Sequence, residues 1–154
     1  MARVETVTHV EAPPERVWGT LVDWELPPAW LTEGRTLSVD VAVHGVGTEV
    51  RRTSTLAFGL KVHDRMVLTD WEPERLLGIR HDGSALRGVG ALELTPTPHG
   101  TRVEWWEEVE TPFGALGETL ATVFAVPWAR RGLRKRLAGL KRQAECSYPD
   151  ASRD

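Results

Sequence analysis

Hydrophobic and polar residues alternate along most of the first 111 residues of this 154-residue chain. A period of two is typical of half-buried β-strands, and Gly and Pro clusters divide the alternation into segments. The pattern predicts strands at 3–12, 36–44, 47–57, 60–71, 75–81, 86–96 and 101–111. Short connections between the last six strands favour an antiparallel meander.

The period changes to three and four residues in two segments, which predicts helices. Pro13, Pro14 and Glu15 suit a first helical turn, and the helix that they start is expected to end near Asp23. The second segment spans 113–145, and its apolar stripe consists of Leu116, Leu120, Val123, Phe124, Leu133, Leu137, Leu140 and Ala144. We predict one long helix kinked at Pro127, because proline removes a helical N–H donor; two separate helices are the alternative.

Two tryptophans, Trp24 and Trp30, flank a diproline after the first helix. The segment predicts a short helical turn that lies across an apolar surface. Both side chains either complete the core or border the mouth of a ligand cavity.

The length fits a single domain, which we place at 1–146, followed by a flexible polar tail at 147–154. No apolar run is as long as a signal segment or a membrane span, and a lone cysteine, Cys146, allows no internal disulfide. We therefore expect a cytoplasmic protein without stable membrane insertion.

Charge is distributed unevenly, since 127–145 contains seven basic residues and one acidic residue although the net charge of the chain is −3. Such a helix is either a solvated outer face or a surface for nucleic acid, anionic lipid or an acidic partner. The cluster lacks interleaved aromatic residues, which argues against nucleic acid.

Several short sequence segments occur along the predicted order of strand, short helix, strands and long helix. They are 10–18, Asp23-Trp24, Gly47-Thr48, Glu72-Pro73, 100–105 and 137–141. In this order the chain resembles the START-like, helix-grip superfamily (SRPBCC), which includes polyketide cyclases/dehydrases and lipid-transfer domains. The resemblance implies an α+β fold, with a curved seven-stranded antiparallel sheet around the C-terminal helix and a cavity between them. It brings no fixed catalytic motif, and fold alone does not determine function.

Strand parity predicts which side chains face the cavity. In the last strand Val103, Trp105 and Glu107 share the inner face. Desolvation of Glu107 would raise its pKa and suit it for acid/base chemistry or for binding a polar ligand group. Alternatively, Glu107 reaches solvent or pairs with an arginine at the strand end.

Arg52 and His81 are the other candidate catalytic residues. An inward Arg52 needs a carboxylate or a ligand oxygen as partner, whereas a β-bulge would turn it to solvent. His81 shares a face with Leu77 and Ile79, and its alternative role is that of a turn residue bonded to Asp82 or to backbone.

Gly88 and Gly90 fall on one inner face, which indicates either room for a ligand or a tight bend. Parity does not determine the phase of strand 60–71. The predicted ligand-binding residues are Trp24, Trp30, Val41, Val50, Gly90, Leu92, Val103, Trp105, Leu116, Leu120 and Phe124.

Histidine spacing and the single cysteine predict no metal site, and no nucleotide-binding motif is present, so we expect no cofactor. The first hypothesis is a protein that binds a small hydrophobic molecule, aromatic or polyketide- or lipid-like. The second is a cyclase/dehydrase-like enzyme with Glu107 as general acid/base and Arg52 or His81 polarising a carbonyl. The third is an interaction module that uses the basic half-helix.

Overall fold

The computed structural model describes residues 2–23, 36–40, 45–55, 59, 61–83, 87–110, 114–120, 123 and 125–146. The strands are β1 Ala2–Val10, β2 Thr36–Asp40, β3 Glu49–Thr55, β4 Lys61–Glu72, β5 Leu76–Asp82, β6 Arg87–Thr97 and β7 Gly100–Val109. The helices are α1 Pro14–Leu21, α2 Gly114–Leu120 and α3 Val126–Cys146. The predicted turn at 24–31, residues 41–44 and the tail at 147–154 lie outside these residues.

All strands pair antiparallel in one open sheet with the order β1-β7-β6-β5-β4-β3-β2. One face of the sheet, together with α1 and α3, encloses the apolar core. An antiparallel sheet tolerates one wet face, which explains why the strands alternate instead of being apolar throughout. The α+β class and the C-terminal helix are therefore as predicted.

Parity assigns the inner face correctly in most strands. Leu92 of β6 and Val103 and Trp105 of β7 are buried as predicted, and in β1, for which no inner face was predicted, Val4 and Val10 are buried. We refer below to this buried side of the sheet as the inner face.

Strand β4 changes parity at a β-bulge between Leu68 and Asp70. Before the bulge Asp64 and Leu68 are buried, whereas after it Asp70 is exposed and Trp71 packs edge-on against Trp18 at 5.4 Å between ring centroids. The even-numbered Asp64 and Leu68 thus face the core before the bulge and the odd-numbered Trp71 does so after it, because the extra residue exchanges the faces.

The sequence predicts one long helix kinked at Pro127, with two separate helices as the alternative, and residues 121, 122 and 124, on which the choice depends, lie outside the described residues. The described residues of this segment are helix α2, the π-helical positions 123 and 125, and helix α3, in whose first turn Pro127 lies. Proline is tolerated there because the first N–H groups of a helix have no intrahelical acceptor.

The second half of the predicted apolar stripe is buried, whereas the described residues of its first half are exposed. Leu133, Leu137, Leu140 and Ala144 of α3 lie in the core, but 69% of Leu116 is exposed, as is 58% of Val123. None of the described helices is long and apolar enough to span a bilayer.

Candidate functional site

Three polar side chains meet on the inner face, one each from β4, β5 and β7. His81 Nδ1 lies 3.3 Å from Asp64 Oδ2, and His81 Nε2 lies 3.6 Å from Glu107 Oε1. The side chains of His81, Asp64 and Glu107 are only 4%, 8% and 10% exposed. A cluster of three ionisable groups is thus buried in an otherwise apolar face.

Strand register brings His81 and Glu107 together across β6. His81 is the ladder partner of Gly88, and Glu107 is the partner of Gly90. A Cβ added to Gly90 would lie 2.8 Å from Glu107 Cγ and 2.6 Å from the Trp106 carbonyl oxygen. The space that Gly90 leaves is therefore occupied by Glu107, which can then approach His81.

A second glycine supports the other end of the cluster. Gly83 is buried, and a Cβ there would lie 2.9 Å from Asp64 Oδ1. Each carboxylate of the cluster thus lies against the backbone of a glycine, Glu107 against Gly90 and Asp64 against Gly83.

Trp105 connects the cluster to α3. Its Nε1 donates a hydrogen bond to Glu107 Oε1 at 3.1 Å, and only 1% of the residue is exposed. The Arg136 guanidinium carbon lies 5.8 Å from the centre of the indole ring, within the range of a cation–π contact. The orientation of Glu107 therefore depends on packing between the sheet and the helix.

The histidine carries the positive charge of the cluster. Burial lowers the pKa of His81, but the facing carboxylates of Asp64 and Glu107 outweigh burial and raise it to about 9. His81 is accordingly an imidazolium at neutral pH. The sequence led us to expect desolvation as the main influence on Glu107, and the structure adds a facing imidazolium whose Nε2 lies 3.6 Å from Glu107 Oε1.

Such an arrangement can hold or move a proton. A charged imidazole polarises a carbonyl oxygen, and an ionised carboxylate accepts a proton from a bound molecule. Neither ring nitrogen of His81 makes a well-aligned hydrogen bond within the described part of the chain. Among the described residues no three His, Cys, Asp or Glu side chains are arranged to hold a metal ion.

Two of the three candidate catalytic residues, Glu107 and His81, lie in this cluster. His81 faces Asp64 instead of bonding to Asp82, which is paired with Arg80. The ladder pairs Arg52 with Asp64, but the Arg52 side chain lies outside the described residues.

Sequence reasoning missed Asp64, because the phase of its strand was undetermined. The available signal was its i, i+2 and i+4 spacing with Met66 and Leu68, which are both buried on the same side of the bulge. A polar residue in such a series is a candidate for the inner face.

The predicted ligand-binding residues divide into three groups. Val50, Leu92, Val103 and Trp105 are buried, and Gly90 is buried beside Glu107. Leu116 of α2 is 69% exposed. The residues outside the described part are Trp24, Trp30, Val41, Phe124 and the side chain of Leu120.

Gly90→Ala is expected to destabilise the fold by about 1–3 kcal/mol, because the new methyl group overlaps a carbonyl oxygen and Glu107. Gly19→Ala is the matched control: its Cβ meets nothing within 4 Å, and alanine in the exposed part of helix α1 should add about 0.5–1 kcal/mol of stability. Urea denaturation measures both changes. A Gly90→Ala protein as stable as the wild type would show that Glu107 can retreat without cost.

A family model described as "Polyketide cyclase / dehydrase and lipid transport" matches residues 1–145. This match confirms the resemblance seen in the sequence. No curated protein matches the chain.

Solved structures with the same fold come from several bacteria. TTHA0849 from Thermus thermophilus is 25% identical, with a TM-score of 0.78 over 96% of this chain and 100% of that one. CV1439 from Chromobacterium violaceum is 18% identical, with a TM-score of 0.74 over 97% and 100%. SA2116 from Staphylococcus aureus, a protein of unknown function, is 15% identical, with a TM-score of 0.74 over 95% and 94%.

Proposed function

Because the chain belongs to the polyketide cyclase/dehydrase and lipid transport family, we propose that it binds a small hydrophobic molecule between the inner face of the sheet and α3. The observation that carries the proposal is the buried His81 between Asp64 and Glu107. Buried charge is costly for stability, and a cluster retained in an apolar face favours a role in binding or chemistry.

The cluster and its surroundings suit a ligand of mixed character. Leu92, Val103 and Trp105 are buried apolar and aromatic side chains on the same inner face as the charged groups. An aromatic, polyketide-like or lipid-like body would pack on these side chains, while a hydroxyl or carbonyl group would bond to His81 or Glu107.

Native mass spectrometry of the freshly purified protein is expected to show a copurified small molecule. In parallel, 8-anilinonaphthalene-1-sulfonate should bind saturably, and a long-chain fatty acid or a polycyclic aromatic compound should displace it. His81→Gln is expected to weaken binding of a carbonyl-bearing competitor about tenfold, the effect of losing one charged hydrogen bond of about 1.5 kcal/mol. The exposed His63 provides the control variant His63→Gln. A protein without a copurified mass and without saturable probe binding would contradict the proposal.

An enzyme in the same site is the second candidate, favoured by the 3.6 Å approach of His81 to Glu107. The charged imidazole would polarise a ligand carbonyl, and Glu107 would transfer a proton. Glu107→Gln keeps the shape of the side chain and removes its basicity. We expect this variant to lower turnover of the identified ligand at least about 100-fold while its Kd stays nearly constant. Unchanged turnover in Glu107→Gln would show that Glu107 is not the acid/base.

A further inference from the structure

The outer side of α3 carries an exposed tryptophan and a row of cations. Trp128, Arg131, Lys135 and Arg142 occur at i, i+3, i+7 and i+14, which places them on one side of a helix. The buried stripe, Leu133 among it, occupies the opposite side. We call these four residues the outer face of α3.

The cations of the outer face differ from two other basic residues of the helix, Arg136 and Lys141, which contact the rest of the fold. Arg136 lies over the Trp105 ring, and Lys141 donates to the His9 carbonyl oxygen at 2.8 Å. None of the described residues forms an ion pair with the three cations of the outer face.

The single acidic residue of α3, Glu145, lies away from this face. It pairs with Lys141 and accepts a hydrogen bond from the Glu11 backbone N–H. No carboxylate of the helix therefore competes for the cations of the outer face, although the whole chain has a net charge of −3.

Trp128 determines which kind of partner fits. It is 73% exposed. Phosphates of nucleic acid would attract the cations but would leave the indole ring in water. An indole ring beside Lys and Arg is suited to the headgroup region of a bilayer, where the ring is partly buried and the cations meet anionic lipids.

We propose that the outer face of α3 docks the protein onto an anionic lipid surface, with Trp128 entering the headgroup region and Arg131, Lys135 and Arg142 contacting lipid phosphates or carboxylates. The helix lies along the surface in this arrangement, and its buried stripe stays on the core. Docking is independent of the inner-face cluster and holds whether or not the protein binds a small molecule.

Co-sedimentation with vesicles tests the proposal. The protein is expected to sediment with phosphatidylcholine vesicles that contain phosphatidylserine, to stay in solution with pure phosphatidylcholine, and to dissociate as salt is raised. A triple variant in which Gln replaces Arg131, Lys135 and Arg142 should bind about 100-fold more weakly, since each cation near an anionic surface adds about a factor of five.

A matched triple variant controls for net charge. Gln at Lys61, Arg80 and Arg87 removes one lysine and two arginines from exposed positions on the sheet and should leave binding within about threefold. Trp128→Ala should weaken binding about tenfold, whereas Trp106→Ala on the sheet should not. Circular dichroism confirms that each variant is folded.

Three results would overturn the proposal. The first is equal loss of binding in the two triple variants, which would indicate attraction by net charge alone. The second is no vesicle binding at low salt, and the third is binding to a DNA duplex in preference to the vesicles.

Discussion

The free energy of unfolding is expected to fall by about 3 kcal/mol as the pH rises from 6.5 to 9, and His81→Gln should abolish most of this fall. The folded-state pKa of His81 is raised to about 9 from a reference value of 6.5. A raised pKa means that the folded state binds the proton more tightly than the unfolded chain. The stabilisation is therefore fully present below pH 6.5 and is lost as the pH rises through about 9.

Urea denaturation of both proteins over this pH range measures the difference. His63→Gln is the control, because the exposed His63 side chain bonds to Thr53 Oγ1 at 3.0 Å and lies away from the buried cluster. The wild type and His63→Gln should show the same pH dependence, and His81→Gln a much flatter one. Parallel curves for wild type and His81→Gln would mean that Asp64 and Glu107 do not hold a proton on His81.

Trp105→Ala is expected to destabilise the protein by about 4 kcal/mol and Trp106→Ala by only about 1 kcal/mol. The two residues are adjacent but point to opposite faces of β7. Trp105 is almost completely buried, and its removal leaves a cavity, removes the contact with Arg136 and takes a donor from Glu107. Trp106 is half-buried, lies under Arg3 at 4.6 Å and donates to Glu93.

Thermal and urea unfolding monitored by circular dichroism give both values. Trp105→Phe separates packing from hydrogen bonding, since the ring is largely kept while the N–H donor is lost; about 1–3 kcal/mol is expected. Similar costs for Trp105→Ala and Trp106→Ala would show that the inner face near Glu107 is loosely packed.

Prediction of the site from sequence succeeded where a single strand carries the information. Alternation in β5 and β7 placed His81 and Glu107 on the inner face, because successive side chains of a strand point to opposite sides whatever the strand pairs with. The same reasoning failed for β4, since a bulge depends on how two strands pair and reversed the faces after Leu68.

Helix prediction shows the same division. The apolar stripe of α3 was recognised because a 3.6-residue period is a local property. Sequence alone left open whether Pro127 kinks one helix or begins another. Leu116 and Val123 fit the same apolar stripe by spacing but are exposed, since burial depends on what a helix packs against.

The sequence itself determined the chain order of strands and helices, the inner face of most strands and the buried stripe of α3. These features depend on periodicity and turn residues, which act over only a few neighbouring residues. Only the tertiary structure decided that Asp64, His81 and Glu107 meet. Their contact requires the register of four strands, β4 to β7. It also requires Gly90 in β6, the strand that lies between His81 of β5 and Glu107 of β7. Burial and the facing charges that register creates then determine the pKa of His81, because desolvation and Coulomb attraction depend on distances between residues far apart in the chain.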